Sequence, residues 1–237
     1  MFVKKHCTSV DYFFVSVKNI IKLLLRCNRI FKIGLIAITR SEYKLVIVLD
    51  KLENICYHWV DFLINKNRQL SSMKRLILIR HAKSSWGDPD LADIDRPLNK
   101  RGKNDAPFMG KRLMEEHKAK PGLIISSPAK RALRTAKIIA KEIDYPERKI
   151  EIKDSLYGSG VQAILNIIQY LDDSVDEVML FGHNPDLTSL ADFLSNHEVE
   201  NIPTCGIFCV DFDIESWKDV EGGKGIFKFF DYPKKHA

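Results

Sequence analysis

Two histidines, His81 and His183, each follow directly on an apolar run. The first run is Leu76-Ile77-Leu78-Ile79 and leads into Arg80-His81-Ala82-Lys83-Ser84. The second is Glu177-Val178-Met179-Leu180-Phe181 and leads into Gly182-His183-Asn184-Pro185. Between them, Leu123-Ile124-Ile125 leads into Ser126-Ser127-Pro128-Ala129-Lys130-Arg131. Short apolar runs bounded by polar residues read as buried strands. In open α/β sheets, ligands bind outside the carboxyl ends of the strands. Arg80, His81, Arg131 and His183 would therefore converge on one site. Two guanidinium forks suit a phosphoryl group. One histidine could then attack phosphorus and carry it covalently, while the other steadies the charge on the transferring group. A zinc site is the competing use of two histidines, but it wants three or four ligands. The sequence offers no His-x-x-x-His pattern and no third ligand at a comparable position, so no metal is expected.

These residues need an α/β scaffold, and the flanking sequence supplies one. Strand signals fall at 75–80, 123–126, 150–152, 177–182, 206–212 and 225–230. Helical spacing runs from Gly102 to about His117, Ala129 to Ile143, Val161 to Leu171 and Leu187 to Leu194. Phe108, Leu113 and Met114 are the expected inner face of the first helix. Pro121-Gly122 ends that helix, and Gly222-Gly223 separates the last two strands. The βαβα order predicts a three-layer α/β/α domain with a mainly parallel central sheet and an antiparallel edge. In the series Lys130, Arg131, Arg134, Lys137 and Lys141, only Arg131 follows a strand end closely enough to aim at a ligand. His6, His58, His117, His197 and His236 have no such setting and read as structural.

Composition divides the chain at about residue 72. All nine prolines lie at or after Pro89, and the first 72 residues hold one glycine, Gly34. Those residues carry 12 Lys+Arg and 5 Asp+Glu, leaving 25 basic and 26 acidic residues in 73–237. The net charge of +6 thus belongs to the leader, and basicity gives no reason to expect a nucleic-acid partner. The five cysteines form no CxxC pair, which points to a reducing, cytoplasmic compartment. The leader's apolar stretches are broken by charges and fall short of the roughly 18–20 residues of a membrane span. A basic segment rich in Ile, Phe and Leu could lie on an anionic membrane surface. The favoured expectation is that 1–72 is a translated extension outside the functional fold, because Met73 directly precedes the first core strand. The 165 residues of 73–237 suffice for one domain.

The motifs together resemble the histidine phosphatase superfamily, with its phosphoglycerate-mutase-like fold, and within it the small SixA-type phosphohistidine phosphatases. The resemblance covers 73–237. It rests on Leu-Ile-Arg80-His81-Ala-Lys-Ser, Asp95-Arg96-Pro97-Leu98 with Arg101-Gly102, Ser126-Ser127-Pro128 with Lys130-Arg131-Ala132 and Arg134-Thr135-Ala136, Leu156-Tyr157, and Gly182-His183-Asn184-Pro185. It implies His81 as the phosphorylated nucleophile, Arg80, Arg131 and His183 as its phosphate pocket, and no metal or other cofactor. Arg96, Ser127 and Asn184 lie in the same motifs and are candidate substrate-binding residues. Asp154 is the local candidate for a general acid. Small-branch members manage without one, since a protonated imidazole leaves phosphorus easily whereas an ester oxygen needs a proton. The expected substrate is phosphohistidine on a protein. The alternatives are a small phosphate ester in the same pocket, or a non-catalytic phosphate-binding module anchored by the leader.

Overall fold

The computed structural model describes residues 36–38, 45–47 and 73–236, and the chain divides into two compact units, Met1–Asn65 and Lys66–Ala237. In the first unit, strands β1 (Ile36–Ile38) and β2 (Leu45–Ile47) pair antiparallel with Ala37 opposite Val46. The other expectations for the leader, including those for His6 and His58, lie outside the described residues.

The second unit is built on a six-stranded sheet. Its strands are β3 (Met73–Arg80), β4 (Leu123–Ser126), β5 (Glu151–Ile152), β6 (Glu177–Gly182), β7 (Ile207–Asp213) and β8 (Ile226–Asp231). Their order across the sheet is β5-β4-β6-β3-β7-β8. The first four run parallel, and β7 and β8 complete an antiparallel edge. Four helices cover the faces: α1 (Lys100–Glu115), α2 (Lys130–Glu142), α3 (Gly160–Gln169) and α4 (Asp186–Leu194). This is the expected three-layer α/β/α architecture.

The central strand explains its own apolar run. Leu76 and Leu78 pack with α3 and α4, while Ile77 and Ile79 pack with α1 and α2. A strand covered on both faces must be apolar at every position, not at alternate ones. Its register against β7 is pinned by Arg75, which lies opposite Asp211 and binds it through Nε at 2.7 Å and Nη2 at 2.9 Å.

The inner face of α1 differs from expectation. Phe108 and Met114 are exposed, and the buried positions are Gly102, Ala106, Met109, Gly110 and Leu113. The cause is close helix packing. A Cβ on Gly110 would lie 2.8 Å from Glu142 Cβ and 3.3 Å from Ile139 Cα of α2. Small residues therefore make this interface, and a pattern that weights large side chains points to the wrong side. Gly102 has a related role: a Cβ there would meet the carbonyl oxygen of Lys83 at 2.2 Å. The first turn of α1, capped by Asn99 accepting from the Gly102 amide at 2.9 Å, thus presses on the loop that follows His81. No described helix is long and apolar enough to cross a membrane.

Candidate active site

The sheet fixes the backbone of Arg80 and His81 from both sides. The Arg80 amide donates to Gly206 O at 3.0 Å and the His81 amide to Gly182 O at 3.1 Å. The amide of Cys205 is shared between the carbonyls of Arg80 and His81, at 3.1 Å each. Cys205 holds the left-handed φ of 61°, uncommon for a residue with a side chain, and so brings the start of β7 back across the end of β3. His81 and His183 follow adjacent parallel strands, and their ring centroids are 5.1 Å apart.

His81 is buried, and its Nδ1 lies 2.8 Å from the Ala82 carbonyl. A carbonyl only accepts, so Nδ1 carries the proton and Nε2 the lone pair. The Nε–H of Arg131 donates toward that Nε2 at 3.3 Å. Burial first, then the neighbouring His183, Arg131 and Arg80, pushes the His81 pKa down to about 3. The ring is neutral at ordinary pH.

His183 Nε2 lies 2.8 Å from Ser127 Oγ. Ser127 Oγ itself accepts from the Ala129 amide at 3.3 Å. In the tautomer in which the Ser127 hydroxyl donates to Nε2, Nδ1 carries the N–H of that ring. Nδ1 is buried without a hydrogen-bond partner among the described residues. Burial, followed by Arg131, lowers the pKa of His183 to about 4.

Arg80 donates through Nη1 to Ile202 O at 2.8 Å, while its Nε is buried and unpartnered among the described residues. Burial also lowers the pKa of Arg80. Unpaired buried donors are costly and rare in folded proteins. Here Arg80 Nε and His183 Nδ1 share the site with Arg131 Nε and with a neutral His81. The set is suited to an anion with several oxygens.

The remaining sequence candidates are placed as follows. Ser127 belongs to the cluster through His183. Asn184 donates to Asn201 Oδ1 at 2.8 Å and Ile202 O at 3.0 Å, the same carbonyl that Arg80 uses. Its Oδ1 is buried and unpartnered among the described residues. Arg96 does not reach the histidines. Its donors go to Ser85 O at 3.0 Å, Asp93 Oδ1 at 2.7 Å and Ser84 Oγ at 2.8 Å, and its guanidinium lies 3.2 Å over the Trp86 ring. Asp154 is exposed at the start of the turn 154–156, whose Leu156 is buried, and its carboxylate has no hydrogen bond or ion pair among the described residues.

Asp93 was not singled out by the sequence and proves central to the rim. Its backbone carbonyl accepts from Arg131 Nη1, and its Oδ2 accepts from Arg131 Nη2 and the Tyr157 hydroxyl, both at 2.7 Å. Burial opposes ionisation of Asp93, but the bonds from Tyr157, Arg96 and Arg131 outweigh it and hold the carboxyl well below its usual range. Thr135, in the run Arg134-Thr135-Ala136, has a role that the sequence did not assign. It accepts from the Ala82 amide at 3.0 Å and donates to Arg131 O at 2.7 Å, tying the nucleophile loop to α2. Among the described residues, no group of three or more His, Cys, Asp or Glu is placed to hold a metal ion.

The fold and these residues define the class. The chain belongs to the histidine phosphatase superfamily: the model of its branch 1 matches residues 76–157. The activity class is that of a phosphatase. An uncharacterised chloroplastic protein of Arabidopsis thaliana is 32% identical over 168 residues, 68% of this chain and 75% of its own length. An uncharacterised protein of Mycobacterium tuberculosis is 31% identical over 166 residues, 66% of this chain and all of its own length. The fold is also that of the protein histidine phosphatase SixA in a complex with tungstate, at TM-score 0.60 and 20% identity over 69% of this chain and 99% of that one. The SixA protein from Agrobacterium tumefaciens gives TM-score 0.58 and 26% identity over 68% and 98% of the two chains.

Proposed function

We propose that this protein removes the phosphoryl group from phosphohistidine on a protein, carrying it on Nε2 of His81. The observation that supports this reading most is the state of His81: proton on Nδ1, lone pair on Nε2, and unpaired donors around it. Nε2 attacks phosphorus while Arg131 Nε, Arg80 Nε and His183 Nδ1 bind the equatorial oxygens. The positive charge that develops on the His81 ring is stabilised through Nδ1–H and the Ala82 carbonyl. Water then attacks the phosphoenzyme, His81 leaves as neutral imidazole, and phosphate departs with the water's protons shared between product and solvent. The tungstate in the SixA complex is a tetrahedral oxyanion of the kind this pocket would hold.

The two arginines supply the charge that a metal would otherwise bring. Activity is accordingly expected to survive exhaustive chelation. Loss of activity, restored by zinc or magnesium, would overturn the metal-free reading. Protonated phosphohistidine needs no acid, so Asp154→Asn is expected to leave its turnover nearly intact.

The decisive experiment compares the full chain and His81→Ala on a phosphohistidine peptide and a panel of phosphate esters, with rapid quenching to trap the phosphoenzyme. Wild type is expected to prefer phosphohistidine and to yield an acid-labile phosphoenzyme. His81→Ala is expected to show neither turnover nor label. Near-normal activity in His81→Ala would sink the mechanism, and a clear preference for an ester would reassign the substrate.

A further inference from the structure

The reaction above uses His81, His183, Arg80 and Arg131 but not Asp93, whose position is unexpected. An anion beside a phosphate pocket repels the substrate and competes for Arg131. Here the anion is deliberately held. Arg131 Nη2 and the Tyr157 hydroxyl bind Oδ2, and Arg96 Nη1 binds Oδ1, all at 2.7 Å. Arg96 is itself buried and anchored to Ser84 and Ser85, so the carboxylate sits in a rigid bracket. A carboxylate offers about four acceptor sites. Three donors fill three of them, which leaves one on Oδ1.

Arg131 spans the pocket and gives its direction. Its Nε faces the His81 lone pair at 3.3 Å, and its outer nitrogens hold Asp93 at the other end of the fork. The Asp93 side chain is 49% exposed, so this end is the mouth. In-line attack by His81 places the leaving atom on the side of phosphorus away from His81, toward that mouth. Tyr157 stands there too, its ring edge-on to His183 at 5.3 Å.

We propose that Asp93 selects the leaving group: its carboxylate accepts a hydrogen bond from a cationic ring N–H, as in the protonated imidazole of phosphohistidine, and so favours that substrate over esters whose leaving groups lack such a donor. This rests on the phosphohistidine reading and deepens it. The step balances without an added acid. The bond from His81 Nε2 to phosphorus forms as the bond from phosphorus to the leaving nitrogen breaks. The leaving ring keeps the proton on its other nitrogen and departs neutral, and its positive charge passes to the His81 ring. Asp93 takes up no proton.

The test measures kcat/KM of the full chain and of Asp93→Asn on a phosphohistidine peptide and on p-nitrophenyl phosphate, whose leaving group has no N–H. Asparagine keeps the shape and loses the charge. A charge-assisted hydrogen bond is worth about tenfold to a hundredfold, so the ratio of phosphohistidine to ester kcat/KM is expected to fall by that factor. Asp93→Glu should restore part of it. The 93–95 turn has no buried residue, and Asp93→Ser carries the same test should the amide misfold. An equal loss on both substrates would make Asp93 only a holder of Arg131, and an unchanged ratio would also overturn the proposal. A wild-type chain inactive on phosphohistidine would overturn this selection and the phosphohistidine reading together. Turnover of both substrates at a ratio indifferent to Asp93→Asn would overturn the selection alone.

Discussion

Two clusters in this domain are made of similar parts and do opposite things. One gathers His81, His183, Arg80 and Arg131. The other gathers His117, His236 and Arg112 around Asp231. In the second, Arg112 Nε, His117 Nε2 and His236 Nε2 reach the buried carboxylate at 2.8, 3.5 and 2.5 Å. His117 stacks on Phe229 with centroids 3.6 Å apart. Burial raises the cost of ionising Asp231, and the bonds from His236 and Arg112 overcome it, so its pKa is lowered. The cluster is closed by its own anion. In the first cluster the one contacting carboxylate, Asp93, is held at the rim by the outer end of Arg131, and Arg80 Nε and His183 Nδ1 have no partner among the described residues. The difference teaches that two histidines and an arginine do not by themselves mark an active site. What marks it is where the counter-anion sits.

Substituting equivalent arginines is the sharpest way to break this comparison. Arg131→Lys keeps the charge and loses the fork. It is expected to lower kcat/KM by about 100-fold, comparable to removing one preorganised donor to a developing anion. Arg112→Lys makes the same chemical change in the closed cluster. There it is expected to cost on the order of 1 kcal/mol of stability and to leave kcat/KM within about twofold. Similar kinetics for the two variants would erase the distinction.

Acid probes the open cluster in a second way. His81 and His183 have folded pKa values lowered to about 3 and about 4, against about 6.5 in the unfolded chain. Between these limits the unfolded chain binds protons that the native site refuses. Their contribution is therefore complete above pH 6.5 and is lost as pH falls toward 4, by at most about 1.4 kcal/mol per pH unit for each histidine. Denaturant unfolding at pH 7 and pH 5 measures it. The loss is expected to be shallower in His81→Ala, and an unaltered pH dependence would show that His81 is not held neutral by burial. Asp231, with its lowered pKa, adds stability that persists further into acid, above its own folded value.

Much of this was legible from residue order, and the exceptions have physical causes. The strand Glu177–Gly182 falls where its apolar run predicts, and so does the placement of Arg80 at the end of one parallel strand and of His81, Ser127, Arg131 and His183 beyond the ends of three. Strand ends are local features, and the topology then brings them together. The face of α1 was misjudged because Ala106 and Gly110 pack by being small. Arg96 lies in the right motif but spends its donors on Ser84, Ser85 and Asp93. Asp93 had no local signal: it is one of several acidic residues in an exposed loop. Its role arises only when residues 93, 131 and 157, far apart in sequence, meet at the pocket mouth.

The smallest expected effect concerns the comparison between the chain's two units. Every strand of the six-stranded sheet lies within 73–231, and the first of them begins at Met73. That strand is central, with Met73 opposite Asp213 and Lys74 opposite Phe212 on one side, and Arg75 opposite Glu177 on the other. Lys74 Nζ is anchored to Asp176 at 2.7 Å and to the Asp173 carbonyl at 2.6 Å. A chain starting at Met73 therefore keeps the whole ladder and every residue of the proposed pocket. If 1–72 stand outside the functional fold, removing them should shift Tm by less than about 2 °C and leave the phosphatase rate unchanged. If they instead cover an apolar face, the short chain would expose it and lose a large share of the modest stability of a domain this size. Thermal unfolding and turnover of the two chains decide between these outcomes, and insolubility or non-cooperative melting of the shorter one would place the leader in the fold. Sedimentation with anionic vesicles by the long chain alone would give the leader a membrane-surface role without altering the catalytic comparison, because its excess of basic over acidic residues is what such a surface attracts.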